Sequence, residues 1–544
     1  MTSHVPQTDL PVPDRFGRGK SVAVIGAGIA GVSAAAYLLK EDLEVTVFER
    51  ASVTGGIWHY DERVSVDPPF PNEAPSKGDY LVSRPGEYAR AYPTPPPDSP
   101  SPIDSDDSEA TAIKLEDLEV RFAPPGPCYA GLQTNIPTNV LVSRLLPWPE
   151  GTELKISQQL SEKYIKDIAA IHGVDGRTRF NTRVEDVNKT SDGKKWKVRT
   201  LSLERFSGPS SSSRLVERIE EFDLVVAASG HYSTPRIPDF PGLTEWKSKF
   251  PSRLLHSKQY RRPENYRGQN VLVVGAGVSS TDICKELVGV ANTVYQSVRG
   301  GVDDTPLHML PASTIRVGEI SHFSLFNSSD STVLPEGSSI PGTVHLKSRS
   351  TLSEIHTIIF ATGYLVSYPY LSQYHSDSTP LTSAGDNLLV TSEGSMVHNL
   401  HKDIFYISDP TLAFIGVPYH AATFPVIDFQ SQVLARVFSS RIRLPSETKM
   451  REEYNLKVER KGLGRGFHSL AGPGEEFAYD EELIEWINHT QGTTNQTEGE
   501  EERDERIEPL SEEWKKMYQE FKNKLAEEWF GGEKREVPLP PQGF

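Results

Sequence analysis

The chain has 544 residues, enough for two or three domains, and carries 74 acidic against 57 basic side chains for a net charge of −17. That balance argues against nucleic acid as a partner, since no basic stripe is present to displace counterions from phosphates. Two cysteines, Cys128 and Cys284, are too few for a disulfide framework and point to a reducing, cytoplasmic setting. No stretch approaches the ~20 consecutive apolar residues of a membrane span. Residues 1–20 are polar and proline-dotted, without an apolar signal core, so the sequons at Asn188, Asn327, Asn488 and Asn495 read as chance matches.

The first predicted unit is strand, glycine turn, helix, strand: residues 21–25, then Gly26-Ala27-Gly28-Ile29-Ala30-Gly31, a helix over 32–40, and a strand over 44–48. Such a turn offers backbone N–H groups at a helix N-terminus, where a pyrophosphate can sit. Glu49 follows at the distance where a carboxylate accepts both ribose hydroxyls of an adenosine. Gly26, Gly28, Gly31 and Glu49 therefore read as an FAD site. Residues 62–127 change character. Asp67-Pro68-Pro69 and the stretches 93–102 and 104–109 are rich in Pro, Ser and acid, predicting a surface insertion with little regular structure. Order resumes at Tyr129. The spacing of Leu160, Tyr164, Ile168 and Ile171 predicts a helix over 158–171, and strands are predicted at 196–198 and 222–228.

Residues 235–242 form a stiff, proline-bearing linker and a natural hinge. The second unit then repeats the first pattern with Gly275-Ala276-Gly277-Val278-Ser279-Ser280 after the strand 271–274. Its next strand, 293–296, ends without a carboxylate. Ser297 and Arg299 stand instead where a 2′-phosphate would lie, and arginine can hold that group with paired charge-assisted bonds. Gly275, Gly277, Ser279, Ser297 and Arg299 thus read as an NADPH site. Ser280 replaces the third glycine, which predicts slightly looser helix–strand packing. The unit ends near Thr357 to Tyr364, where the chain returns to the first domain. In the charged tail, Leu510, Trp514, Met517, Tyr518, Phe521, Leu525 and Trp529 share one helix face. Ser511 reads as the N-cap, Gly531-Gly532 as the stop, and the helix as packed on the main body; the acidic run 498–508 reads as solvated. The fold class is α/β: two dinucleotide-binding Rossmann-like domains, the NADPH domain (236–356) inserted into the FAD domain (1–235 and 357–440), with a partly helical C-terminal extension (441–544).

Five further segments carry a family resemblance: Gly55-Gly56-Ile57-Trp58; the stretch Tyr129 to Pro137 with Leu132-Gln133-Thr134-Asn135; Phe250 to Tyr260, which contains His256; Ala361-Thr362-Gly363-Tyr364; and Phe424-Pro425 with Asp428 and Gln430. With the two glycine turns they resemble the flavin-containing monooxygenases over most of the folded body. The resemblance implies that Gly56, Trp58, Thr134, Asn135 and Gln430 lie on the flavin side, and Thr362 and Gly363 at the return to it. It implies a cycle in which NADPH reduces FAD, O2 forms a C4a-hydroperoxyflavin, and a soft nitrogen or sulfur of a small molecule takes one oxygen atom, in the manner of N,N-dimethylaniline monooxygenases. Asn135 is the catalytic candidate, since an amide can donate to a cofactor oxygen and accept from a nicotinamide amide without adding charge.

Three positions depart from the family pattern: Ser252 for a glycine, Asp428 for a glutamate and Ser229 for a threonine. Ser252 is the most consequential, since it alters the turn entering the NADPH domain. His256 reads as hinge support rather than an acid–base group, and Cys128 as an idle thiol. No His/Cys cluster has metal-ligand spacing, and no GxSxG elbow occurs. A Baeyer–Villiger monooxygenase ranks second, because that pattern carries Trp-Pro where this chain has Tyr260-Arg261. An FAD/NAD(P)H oxidoreductase without oxygenation, of the disulfide type, would need a Cys-x-x-Cys that the two cysteines cannot form. A non-catalytic flavoprotein would not require Glu49, Asn135 and Arg299. Substrate identity and homo-oligomer formation stay open.

Overall fold

The computed structural model describes residues 15–79, 115–206, 212–301, 304–326, 334–335, 337–472, 474–488 and 506–530. The stretches 93–102 and 104–109, Gly531-Gly532 and most of the acidic run fall outside them. Two mainly parallel sheets organise the chain. The first has seven strands in the order Leu400–His401, Phe405–Tyr406, Leu412–Phe414, Leu224–Ala227, Ser21–Ile25, Glu44–Phe48, Thr178–Arg179. The second has five parallel strands in the order Thr314–Val317, Thr293–Ser297, Asn270–Val274, Thr357–Phe360, Leu254–His256. The central strands are apolar on both faces because helices or other strands cover both: Val22, Ala23 and Val24 are fully buried, as are Val271, Leu272 and Val273.

The second sheet interrupts the first. Leu412–Phe414 pairs in parallel with Leu224–Ala227, Ala413 opposite Val226, so the returning chain re-enters the sheet it left. The exit and the return touch. Thr234–Pro235 pairs antiparallel with Tyr364–Leu365. The Arg236 N–H donates to the Gly363 carbonyl at 2.9 Å, and the Thr362 hydroxyl donates to the Arg236 carbonyl. His256 is fully buried and joins the same ladder. Its Nδ1 accepts from the Lys258 N–H at 3.1 Å, which leaves Nε2–H to donate to the Gly363 carbonyl at 3.1 Å. Burial pushes its pKa down to about 3, so it is a neutral brace at the hinge.

Several local expectations change. The first helix is Ile29–Lys40, starting at its Gly28 N-cap inside the glycine turn. Gln158–Ile171 is helical over the expected span, but its inward face centres on Ser161, Ile165 and Ile168. Leu160 and Ile171 fall outside that stripe and are exposed. Ser252 sits exposed in the short 3-10 turn Pro251–Arg253 without the positive φ that would call for glycine, so the substitution leaves this turn undisturbed.

The described parts of the 62–127 insertion are packed rather than loose. Asn72 exchanges backbone hydrogen bonds with Ile237, and its Nδ2 donates to the Pro235 carbonyl at 2.7 Å. Leu118 and Phe122 of the helix Leu115–Phe122 cluster with Leu203 and Leu215. Asp79 bridges Arg50 at 2.8 Å and Lys258 at 2.9 Å, with both Asp79 and Lys258 buried. Hydropathy gives no warning of this, because the segment is held by hydrogen bonds and ion pairs more than by apolar burial. No helix among the described residues is long and apolar enough to cross a membrane.

The tail helix Glu512–Phe530 packs on the body. Its N-cap Ser511 accepts from the Trp514 N–H at 3.1 Å, and Trp514 Nε1 donates to the Val140 carbonyl at 3.2 Å. Fully buried Tyr518 donates to Glu476 of the helix Glu475–Asn488, and Asp480 is buried one turn further on. Burial raises the pKa of both carboxyls, and repulsion from Glu476 and Glu481 raises that of Asp480 further. A carboxyl whose folded pKa is raised binds more protons folded than unfolded, so its contribution falls as pH rises. Docking of the tail helix is expected to weaken between about pH 5 and 8, read as increasing tryptophan exposure and proteolytic clipping ahead of Glu512. A Glu476→Gln/Asp480→Asn chain should lose most of that pH dependence; an unchanged profile would show that these carboxyls do not govern docking.

Candidate functional site

At the first glycine turn the chain makes close backbone approaches. Gly26 has φ +108, and a Cβ there would lie 2.6 Å from the Ala228 carbonyl oxygen. Gly28 and Gly56 cross with no side chain between them: a Cβ on Gly56 would lie 2.7 Å from the Gly28 Cα. The Gly55 N–H donates to the Ala27 carbonyl at 3.1 Å and fixes this crossing. Glu49 is buried at the mouth of the turn. Its Oε2 accepts from the Ala27 N–H at 2.7 Å and its Oε1 from the Ala51 N–H at 2.8 Å. Each oxygen keeps a further lone pair for a sugar hydroxyl.

A continuous cavity runs over this turn. It is lined by Asn181 and Arg183, by Glu49, Arg50, Gly28, Gly56 and Trp58, and by the aromatic side chains Tyr370, Tyr419 and Phe424. Part of its wall, Pro124 to Pro127, comes from the insertion. Lys258 and Asp79 also line it, carrying the ion-pair bridge into the site. The aromatic wall around Tyr419 is uncharged: burial lowers His231 and His420, whose rings meet it, to about 4, so both are neutral near pH 7.

Three expected flavin-side residues, Gln430, Thr134 and Asn135, are not among those lining the cavity. Gln430 is fully buried; its Oε1 accepts from the Gly416 N–H at 3.0 Å and its Nε2 donates to the Tyr479 hydroxyl at 2.7 Å. Its amide is engaged on both sides, so it acts on the cavity by fixing Gly416, which lines it. The Thr134 hydroxyl accepts from the Ile156 N–H at 3.2 Å and is buried in a backbone bridge. Asn135 lies half-buried at the next bend, outside the residues lining the cavity. Asp428 accepts from the Ser33 and Ser143 hydroxyls and the Arg144 N–H, and burial pushes its pKa up to about 6. It ties the first-turn helix to the helix Thr423–Phe438.

The second turn repeats the geometry of the first. Gly275 has φ +126, and a Cβ there would lie 2.3 Å from the Ala361 carbonyl oxygen. Gly277 faces open space, and half-buried Ser279 follows in the first turn of the helix Val278–Leu287. Ser280 corrects the expectation of looser packing. Where the first turn needs Gly31 because a Cβ would lie 1.8 Å from the Gly26 carbonyl oxygen, the Ser280 hydroxyl donates to the Gly275 carbonyl at 2.6 Å. It accepts in turn from Gln296 Nε2 at 2.6 Å, and Gln296 Oε1 accepts from Arg316 Nε at 2.9 Å. Ser297 is also corrected as a phosphate contact: its hydroxyl is buried and donates to the Gly318 carbonyl at 2.9 Å. Arg299 is exposed two residues past this strand and forms no ion pair with a carboxylate among the described residues.

The donor chemistry fits an extended dinucleotide over each turn. The Gly28–Gly56 crossing is a cradle that a Cβ would fill, with a fixed carboxylate beside it; the Gly277 turn is open, with a cation beside it. Cys128 and Cys284 are both buried, and burial pushes each thiol up to about 12. Neither is a thiolate near neutral pH, as disulfide chemistry would require. Sequence reasoning missed Arg50, Lys258 and the neutral aromatic wall. Arg50 and Lys258 lay inside motifs already singled out; Asp79 carried no signal, because its partners meet it only in the folded chain.

A family model described as flavin-binding monooxygenase-like matches residues 129–303 and 340–490. An NAD(P)-binding Rossmann-like model matches 24–77, and a pyridine nucleotide-disulphide oxidoreductase model matches 220–391. The chain is 43% identical to flavin-containing monooxygenase ustF2 of Aspergillus flavus, over 86% of this chain and 91% of that protein. It is 31% identical to flavin-containing monooxygenase iboF of Amanita muscaria, over 84% and 86%. Its fold is similar to that of S-allyl-L-cysteine S-oxygenase from Allium sativum, with a TM-score of 0.62 at 22% identity, covering 95% of this chain and 96% of that one.

The Ser280 network yields a stability test. Ser280→Ala leaves Gln296 Nε2 and the Gly275 carbonyl without this partner, a loss expected at about 1–3 kcal/mol. Chemical denaturation should show it. A variant as stable as the parent would mean that the hydroxyl adds nothing to the turn.

Proposed function

The chain belongs to the flavin-binding monooxygenase-like family, with FAD and NADPH as its cofactors, and on that premise we propose that it uses NADPH and O2 to oxygenate a soft nitrogen or sulfur atom of a small molecule. The observation that carries this reading is the opposite chemistry of two like turns. Glu49 is fixed at the first by two backbone N–H groups, and Arg299 stands at the second without an ion-paired carboxylate among the described residues. Gly26, Gly28, Gly31, Glu49, Gly56 and Trp58 would hold FAD. Gly275, Gly277, Ser279 and Arg299, with the return segment Thr362-Gly363, would hold NADPH. Bound FAD, once reduced, supplies the activation of O2.

The protein's own part is position and shielding. The backbone cradle aligns the dinucleotide, and the neutral aromatic wall of the cavity keeps mobile protons away from the reacting atoms. Asn135 supplies an uncharged donor and acceptor at the nicotinamide side. Tyr260-Arg261 favours this reading over ketone oxygenation. The Arg261 guanidinium donates to the carbonyls of Arg63, Gly126, Lys258 and Tyr260, bracketing the insertion to the hinge strand. A Trp-Pro pair could not supply that bracket.

The purified protein should be yellow, oxidise NADPH with O2 uptake, and convert members of an amine and thioether panel to products one oxygen heavier by mass. A colourless preparation that takes up no FAD would end the reading. Arg299→Ala should weaken NADPH by about 10- to 100-fold with a small effect on NADH; equal losses would remove Arg299 as the 2′-phosphate contact. Asn135→Ala should leave FAD reduction intact while diverting O2 to hydrogen peroxide, and product formation still coupled to NADPH use would remove Asn135 from its role.

A further inference from the structure

Three arginines from three different chain segments converge where the second glycine turn meets the hinge. Arg299 lies two residues past the strand Thr293–Ser297 of the second sheet. Arg236 follows the exit strand Thr234–Pro235, and its N–H holds the Gly363 carbonyl at 2.9 Å. Arg465 comes from beyond the helix Glu447–Lys461, on the returning part of the chain. Its Nη1 lies 3.4 Å from where a Gly363 Cβ would stand, and its Nη2 donates to the Tyr364 carbonyl at 3.4 Å. Gly363 is two residues past Ala361, whose carbonyl abuts Gly275. Arg465 and Arg236 thus flank the segment that seals the second turn.

This cluster is unbalanced. Among the described residues none of the three forms an ion pair with a carboxylate. Among the described residues, Glu73 is the acid that acts on Arg236, and Tyr232 and Tyr419 are the titratable groups facing Arg465 besides the other arginines. Burial lowers the pKa of Arg236 and Arg465, and repulsion among the three guanidiniums adds to it. Arg299 and Arg465 are nevertheless solvent-exposed and Arg236 is half-buried, so the charges are open to solvent. Exposed like charges gathered without a paired carboxylate among the described residues mark a place for an anion.

We propose that Arg236 and Arg465 bind a phosphate of NADPH together with Arg299, so that the cofactor's anion is gripped at once by the inserted domain, the hinge and the returning chain. The inference rests on the reading of the second turn as the NADPH site and adds two residues outside that domain. The bound phosphate would tie the two sheets together across the hinge. Binding energy is thereby linked to domain position, and cofactor release requires the returning segment to let go.

The test is calorimetric binding of 2′,5′-ADP, 5′-ADP and NADP+ to the FAD-loaded protein without turnover. Arg465→Ala and Arg236→Ala should each weaken NADP+ by about 10- to 100-fold, with partial rescue in Arg465→Lys. FAD content and near-UV circular dichroism should match the parent, which separates lost binding from misfolding. A larger loss for 2′,5′-ADP than for 5′-ADP places the contact on the 2′-phosphate, equal losses place it on the 5′-phosphate that both carry, and a larger loss for 5′-ADP places it on the second phosphate of the pyrophosphate; all three support the clamp. If the parent binds all three probes and both alanine variants bind them as tightly, the clamp is wrong while the NADPH reading stands. If the parent binds none of them, the NADPH reading itself fails and the clamp with it.

Discussion

The chain crosses between its two sheets twice, and the ladder joining those crossings is the constraint on which the rest depends. Pro235 lacks an N–H, so the pair Thr234–Pro235 with Tyr364–Leu365 cannot hold itself by backbone bonds alone. The Arg236 N–H, the Thr362 hydroxyl, His256 Nε2 and Asn72 Nδ2 supply what is missing. The Gly363 carbonyl accepts from two of them. Because Ala361, two residues earlier, presses its carbonyl on Gly275, fixing the ladder also fixes the second glycine turn relative to the first sheet.

The two turns are the same physical solution reached twice. Each parallel strand beside a glycine turn ends in alanine, a small hydroxyl residue and glycine: Ala228-Ser229-Gly230 in one sheet and Ala361-Thr362-Gly363 in the other. In each the alanine carbonyl occupies the space a side chain on the first glycine would need. The turns diverge in how they are charged and braced. The first draws a carboxylate into its backbone; the second is stiffened from behind by Arg316, Gln296 and Ser280 and leaves Arg299 exposed beside it.

A charged bridge does for the insertion what the ladder does for the hinge. Asp79 lies buried between Arg50, next to Glu49, and Lys258, next to the His256 brace. Attraction to the two cations outweighs burial and holds the Asp79 carboxyl below the usual carboxylate range. Buried pairs of this kind add little net stability, but losing one partner strands a charge in the interior. The bridge therefore sets where residues 61–79 lie, and through them one wall of the cavity.

The sequence by itself determined the fold class, the two glycine turns and the opposite charge of the side chains that follow them, because these follow from local periodicity, from glycines that a close backbone approach demands, and from residue types at fixed offsets. It also marked His256 as a support, since its motif sits at the hinge. It could not decide which polar side chains face the cavity. Gln430, Thr134 and Ser297 have the right chemistry at the right offsets, yet their hydrogen bonds go to Gly416, Ile156 and Gly318. Whether a side chain meets a ligand or a neighbouring backbone depends on which unpaired group the fold brings beside it. For the same reason Asp79 and Arg465, far from every motif in the chain, reached the site only through tertiary structure: a charge acts over a few ångströms of space, whatever its distance along the sequence.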